Sequence, residues 1–327
     1  MNNGSFVISL DFELMWGVRD NRTIDSYGAN VEGVRIALPM MLELFRKYNI
    51  KATFATVGFL FAKTKKELLA YVPVNKPAYA NNNLSPYNGY FELLKNSESE
   101  DNYHYGFSLI NMLKQYPEQE IASHTFSHYY CLEPGQTAKA FEEDLKSAIA
   151  IARKNQVNLK SLVFPRNQFN KDYLKICSNL GITSFRGNEN AKYYKAVPGA
   201  GDTMVKKIIR IVDMYLNLSG HNLSDLGTIS KTFPYNIPSS RFLRPYNSKL
   251  RLFEILRLIR IKRSMTYAAK NSKVYHLWWH PHNFGQNQKM NFKILEAILQ
   301  HYQFLSSKYN FESMTMNEIT ARIEKLK

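Results

Sequence analysis

Short apolar runs alternate along this chain with longer segments of helical periodicity, and this alternation restricts the fold more than any other feature. Residues 6–10, 52–57, 161–164, 182–185 and 274–279 have the length and character of strands. Residues 120–123 form a further strand that leads into a pair of histidines. Segments 34–48, 107–115, 137–155 and 171–180 carry apolar residues at helical spacing, and a C-terminal helix is expected over 292–308. Such alternation means parallel strands with helices packed outside, an α/β fold. No linker or internal repeat interrupts it, so residues 1–327 read as one domain. A polar, aromatic stretch at about 64–102, with Pro73, Pro77 and Pro86, reads as an insertion over one face.

Composition narrows the functional classes. A chain of 327 residues with 45% hydrophobic content can bury a sizeable core. Its only cysteines are Cys131 and Cys177, which argues against a disulfide framework and fits a reducing compartment. The N-terminus has no basic region before its apolar run, and no stretch of about 18 apolar residues occurs anywhere. The chain is therefore expected to be soluble and cytoplasmic. The formal net charge of +16 points to an anionic partner: nucleic acid, a membrane surface or an acidic glycan. Segment 241–273 carries ten Lys/Arg against one acid, Glu254, interleaved with aliphatic residues. It reads either as an amphipathic barrel helix with a solvated basic rim or as a peripheral contact with anionic lipid at the inner membrane face.

The chemistry-bearing residues cluster at the C-terminal ends of the strands, where parallel α/β folds place their sites. Asp11 and Glu13 end the first strand and, two residues apart, point to the same side. His124 and His128 follow the histidine strand at i and i+4. Arg166 and Asn167 follow Phe164-Pro165, and His280 and His282 follow Leu277-Trp278-Trp279. Two neighbouring carboxylates are costly to bury unless a cation neutralises them. Two histidines with one carboxylate make an open, catalytic type of metal site, and the second carboxylate is then free to act as a base. Cys131, three residues past His128, reads as a small buried hydrophobe. Trp278 and Trp279 divide evenly between core residues and sugar platforms.

Taken together, Ser9-Leu10-Asp11-Phe12-Glu13, His124-Thr125-Phe126-Ser127-His128, Phe164-Pro165-Arg166-Asn167 and His276-Leu277-Trp278-Trp279-His280-Pro281-His282-Asn283 resemble the polysaccharide deacetylase family. This is carbohydrate esterase family four, the NodB-homology domain. The motifs stand in the family's order across nearly the whole chain. Three features depart from the family pattern: Phe12 separates the two acids, the arginine follows its proline, and the fourth motif of an acid beside a tryptophan is absent near Ser184-Phe185-Arg186-Gly187-Asn188.

The resemblance implies a distorted (β/α)7–8 barrel, one divalent metal ion (usually zinc), and hydrolysis of an N-acetyl group on a sugar. The substrate would be a surface-polysaccharide precursor or oligosaccharide rather than nucleic acid. Alternatives are another amide or imide hydrolase on the same barrel, or a non-catalytic glycan-binding relative. By the same resemblance Glu13, His124 and His128 would hold the metal, Asp11 would be the general base, and Arg166 would fix Asp11. A backbone N–H near Thr125 or Arg166 would help stabilise the oxyanion, and His280 would be the general acid. Asp11 and Glu13 can exchange roles, and His282 competes with His280.

Overall fold

The apolar runs become the strands of a parallel sheet. The computed structural model describes residues 3–327. Its strands are β1 (Ser5–Phe12), β2 (Ala52–Thr56), β3 (Glu120–Ser123), β4 (Ser161–Val163), β5 (Ser184–Arg186), β6 (Tyr235–Asn236), β7 (Arg241–Phe242), β8 (Val274–Trp279) and β9 (Glu312–Met314). The helices are α1 (Ile24–Glu32), α2 (Val34–Lys47), α3 (Lys65–Ala70), α4 (Phe107–Leu113), α5 (Ala138–Lys154), α6 (Leu174–Asn179), α7 (Met204–Tyr215), α8 (Leu226–Ile229), α9 (Glu254–Lys270), α10 (Gln288–Tyr309) and α11 (Met316–Lys325).

The strand order is β6-β5-β4-β3-β2-β1-β8-β7, and every pairing is parallel. β9 pairs with the start of β1, at Ser5–Val7, alongside the position that β2 takes from Ile8 onward. All eight residues of β1 are buried, because strands flank both of its edges and side chains cover both faces. β6 and β7 sit at opposite ends of the order yet are separated by only residues 237–240. Ile237 N–H donates to the Phe185 carbonyl (2.9 Å) and Ser240 N–H to the His276 carbonyl (2.8 Å), so this short segment ties the two ends together. The sheet therefore curls into a distorted (β/α) barrel, a single domain. Its curvature brings Arg186 of β5 into contact with Asp11 of β1, across three intervening strands.

The outer helices seal the barrel by ordinary amphipathic packing. In α5, Thr137 caps the N-terminus by accepting the Ala140 N–H (3.2 Å), and Phe141, Leu145, Ala148 and Ile151 turn inward. Phe141 stacks on Tyr173 with ring centroids 4.8 Å apart. Truncating it to alanine would cost about 3–5 kcal/mol through lost burial and the cavity left behind. The stretch 64–102 lies against the loop after β3. Tyr79 Oη accepts the Tyr130 N–H (2.8 Å), and Ala78 N–H donates to the Gly135 carbonyl (3.0 Å). Among the described residues no helix is long and apolar enough to cross a membrane.

Candidate active site

The histidine pair sits on a tight loop rather than a helical turn. Thr125 and His128 both adopt left-handed backbone conformations, with φ of 62° and 60°. Such conformations cost a non-glycine residue of order 1–3 kcal/mol each and persist only where the surroundings impose them. Asp144 of α5 does this from below. Its buried carboxylate accepts the Phe126 N–H (2.7 Å), the Ser127 N–H (3.1 Å) and the Ser127 hydroxyl. Thr125 Oγ1 adds a further tie by accepting the Tyr129 N–H (2.7 Å). The loop thereby turns both imidazoles to one point.

That point is the Glu13 carboxylate. His124 Nε2 lies 3.3 Å and His128 Nε2 3.1 Å from Glu13 Oε2, while His282 Nε2 lies 3.0 Å from Oε1. His280 Nε2 stands further off, 3.6 Å from Glu13 Oε1 and 3.7 Å from Asp11 Oδ2. Gly17 makes room for the carboxylate, since a Cβ there would collide with it. Burial alone would raise the pKa of Glu13. The neighbouring imidazoles, His280 first and then His124, His128 and His282, outweigh that and hold it well below the usual carboxylate range.

The tautomer of His124 bears on what belongs between these groups. Its Nδ1 faces the Val163 carbonyl at 2.8 Å, and a carbonyl can only accept, so Nδ1 carries the proton. In the neutral ring Nε2 is then a lone pair aimed at a carboxylate oxygen, and it is buried without a hydrogen-bond partner. Two acceptors at 3.3 Å repel unless a cation lies between them. Burial lowers the pKa of His128 to about 4, so this imidazole is neutral and available as a ligand. Ligand bonds of about 2.1 Å to one ion imply ligand–ligand separations of roughly 3.0–3.4 Å, which the Glu13–His124 and Glu13–His128 separations meet. Glu13, His124 and His128 form one group of suitable ligands, and Glu13, His280 and His282 a second.

Asp11 is neutralised differently from the sequence expectation. The guanidinium that grips it belongs to Arg186, not Arg166. Arg186 donates to Oδ1 (2.7 Å) and Oδ2 (2.8 Å) of Asp11, and also to Ser9 Oγ (2.9 Å) and Asn167 Oδ1 (2.8 Å). Its guanidinium lies 4.2 Å from the Trp278 ring centroid. Arg166 and Asn167 have positive φ values of 54° and 53°. This turn directs Arg166 outward, where it pairs with Asp20 and lies 4.4 Å from the Tyr130 ring centroid, and leaves Asn167 as the inward group. Burial pushes the Asp11 pKa up, but Arg186, then His124 and His280, bring it below the ordinary value, so the carboxylate is ionised.

Behind the pair, His276 Nδ1–H donates to the Ile237 carbonyl (3.1 Å) and its Nε2 accepts the Ser9 hydroxyl (2.8 Å). Ser9 Oγ thus accepts from Arg186 and donates to His276. The Thr125 N–H, one of the two expected oxyanion donors, is already committed to Ser123 Oγ (3.0 Å).

A cavity of about 950 Å³ adjoins the cluster on the side of Asn167, Trp278 and Asn283. Trp278 is half-buried at its wall, whereas Trp279 is a core residue stacked near Phe284. Sequence reasoning missed Arg186. The available signal was an arginine at the C-terminal end of the fifth strand, in the very stretch where the missing fourth motif is sought.

Residues 32–185 match the model of the polysaccharide deacetylase family. The matched stretch is just under half of the chain. The match takes in the histidine loop and Asn167, while β1, Arg186 and β8 lie outside it and join the site through the fold. Among solved structures, a Mycobacterium smegmatis protein described as a polysaccharide deacetylase aligns over 99% of this chain and 92% of its own, with 10% identity and a TM-score of 0.61. A Pseudomonas aeruginosa PAO1 protein described likewise aligns over 98% and 89%, with 12% identity and a TM-score of 0.53. PuuE allantoinase aligns over 97% and 88%, with 11% identity and a TM-score of 0.53. These likenesses establish a shared fold. No curated protein matches the sequence significantly.

Proposed function

We propose that this chain is a member of the polysaccharide deacetylase family, a metal-dependent hydrolase that removes the N-acetyl group of a sugar, the sugar being part of a surface-polysaccharide precursor or an oligosaccharide. The observation that carries the reading is the buried Glu13 carboxylate ringed by imidazole nitrogens, beside an Asp11 clamped by Arg186. Glu13, His124 and His128 would hold one divalent metal ion, zinc being the ion that suits nitrogen and oxygen ligands in an open site. When bound, such an ion activates water and polarises the amide carbonyl.

The chain's own groups supply the proton movements. Asp11 accepts the proton of the attacking water at Oδ2, the oxygen that faces His280. Arg186 holds both oxygens of Asp11 and favours its ionised form, so the base is in the required state at neutral pH. His280 donates a proton from Nε2 to the departing amine. Its Nδ1 is oriented by Asn283 Oδ1 (3.3 Å), and the ring keeps 22% of its surface exposed. His282 suits this task less well, because its Nε2 is engaged by Glu13 and its Nδ1 by Tyr27 Oη (2.8 Å). Trp278, at the cavity wall beside Arg186, offers a flat surface for a sugar ring.

The test is acetate release from N-acetylglucosamine oligomers by protein of known metal content, with His124→Ala and His128→Ala as companions. Loss of both metal and acetate release in the variants supports the reading. A metal-free wild-type protein whose activity survives both substitutions defeats it.

A further inference from the structure

α7, at the cavity wall, and the start of α9, packed on it, are built inside out. In α7 the apolar positions Met204, Val205, Ile208 and Val212 recur at helical spacing, and they face solvent, with Met204 70% and Ile208 53% exposed. The same helix buries Asp213 completely. At the start of α9, Arg257 and Arg260 are buried, whereas Ile255 and Ile259 are exposed, together with Leu252 just before the helix at 79%. α7 and α9 pack on one another, and Tyr215 and Phe253 bring their rings to 6.0 Å at the junction. The outward aliphatic residues therefore form one face. A helix in water normally turns its apolar stripe to the core, and an exposed contiguous apolar face marks an interaction surface.

The charges identify the partner. From 203 to 219 and from 244 to 263 the only acids are Asp213 and Glu254. Asp213 is held by Arg241 (2.8 Å) and Arg260 (3.0 Å), and Glu254 by Arg257. The arginines among the basic residues of 241–273 are thus partly spent inside the protein. What remains around the apolar face is Lys249, Arg251, Lys262 and Arg263, with Lys207 at its cavity edge and no unpaired acid among them. A second copy would set one basic rim against another, on a chain of net charge +16.

We propose that this face docks on an anionic lipid bilayer, with the aliphatic side chains entering the headgroup boundary and the surrounding cations meeting lipid phosphates. The other flank of α7 contributes Lys207, Arg210 and Met214 to the cavity wall, so docking lays the cavity against the bilayer. The docking is independent of the proposed reaction and is tested without it.

The test is sedimentation of the full chain with vesicles of phosphatidylcholine alone and of phosphatidylcholine mixed with phosphatidylglycerol, at low and high salt. Binding is expected to the anionic vesicles and to fall steeply with salt. Each cation near such a surface contributes about five-fold in partitioning, so Lys249→Glu with Arg251→Glu should weaken binding by roughly thirty-fold or more. Val205→Glu with Leu252→Glu should abolish it. Lys289→Glu with Lys293→Glu, exposed on α10, should leave it unchanged. All six positions are exposed, so melting temperatures should hold. No binding at low salt, or equal binding by all variants, overturns the proposal. So does self-association that Val205→Glu with Leu252→Glu disrupts while vesicles capture nothing, which would make the face a contact between copies.

Discussion

Replacing Arg186 with methionine probes the reasoning about the site most directly. The guanidinium is fully buried and makes two hydrogen bonds to Asp11, with further ones to Ser9 and Asn167. Methionine fills much of the volume but leaves Asp11 as a buried charge whose main partner is gone. Removing one partner of a buried pair costs about 3–5 kcal/mol. Over 327 residues the unfolding entropy is about 0.7 kcal/mol per kelvin, so the melting temperature should fall by about 4–7 °C.

The sign of the pH effect follows from the same pair. In the native protein the Asp11 pKa is depressed, so its contribution to stability is present above the ordinary carboxylate range and is lost as pH falls through the folded value. Without Arg186 burial dominates and the pKa rises. Acetate release by Arg186→Met should then be weak at neutral pH and recover as pH increases, with its acidic limb displaced upward. Arg186→Lys keeps a charge and should be intermediate. Adding Asp11→Asn to Arg186→Met removes the stranded charge and should restore part of the lost stability. Scanning calorimetry of the four proteins and pH–rate profiles of those that retain Asp11 check this. If Arg186→Met melts within a degree of wild type, or if Asp11→Asn does not rescue it, the assignment of Arg186 as the partner of Asp11 is wrong.

Three further outcomes are expected. Asp11→Asn should keep the metal and lower turnover by roughly 10²–10⁴-fold, whereas Glu13→Ala should lose the metal; the opposite pattern by elemental analysis exchanges the two roles. His280→Ala should impair acetamido sugars far more than an activated aryl acetate, whose leaving group needs little protonation, while His282→Ala should show no such selectivity; the reverse selectivity makes His282 the acid. For Asp213, burial raises the pKa, but Tyr194 and Arg241 outweigh it and lower the value from 3.8 to about 2. Its contribution, about 2 kcal/mol, is complete above 3.8 and is lost as pH falls toward 2, so the stability gap between wild type and Asp213→Asn should narrow over that window in denaturant titrations. A gap that does not change with pH would refute the depressed value.

Much of the barrel was legible because β1, β2 and β4 are buried on both faces, and β8 at all but Trp278, and so read as largely apolar runs. β6 and β7 have two residues each and β9 three, too few for any period to register, and their placement comes from ladder hydrogen bonds to strands distant in sequence. The expected strand over 182–185 lies instead at Ser184–Arg186. That small displacement has a chemical consequence, since it carries Arg186 into the strand, two residues from Ser184 and on the same side. α7 was not read at all, and the amphipathic character of α9 was visible within 241–273, but not which face turns inward. That depends on Asp213, which stabilises Arg260 at a separation of 47 residues.

For the site, the residues that end strands were readable and the residue that turns away was not. Asp11 and Glu13 leave β1, His124 leaves β3 and His280 leaves β8, and each lies where the end of a parallel strand delivers it. Arg166 also follows a strand, yet the left-handed backbone at 166 and 167 reverses the chain within one residue and exchanges the inward places of Arg166 and Asn167. No local pattern announces that exchange, because nothing in Phe164-Pro165-Arg166-Asn167 requires positive φ. What the sequence does dictate is the electrostatic demand: two carboxylates ending a buried strand must be met by cations. A guanidinium can answer that demand from any strand whose end opens onto the barrel interior. The requirement is therefore local to β1, while the residue that satisfies it is fixed only once the sheet curls and brings β5 opposite.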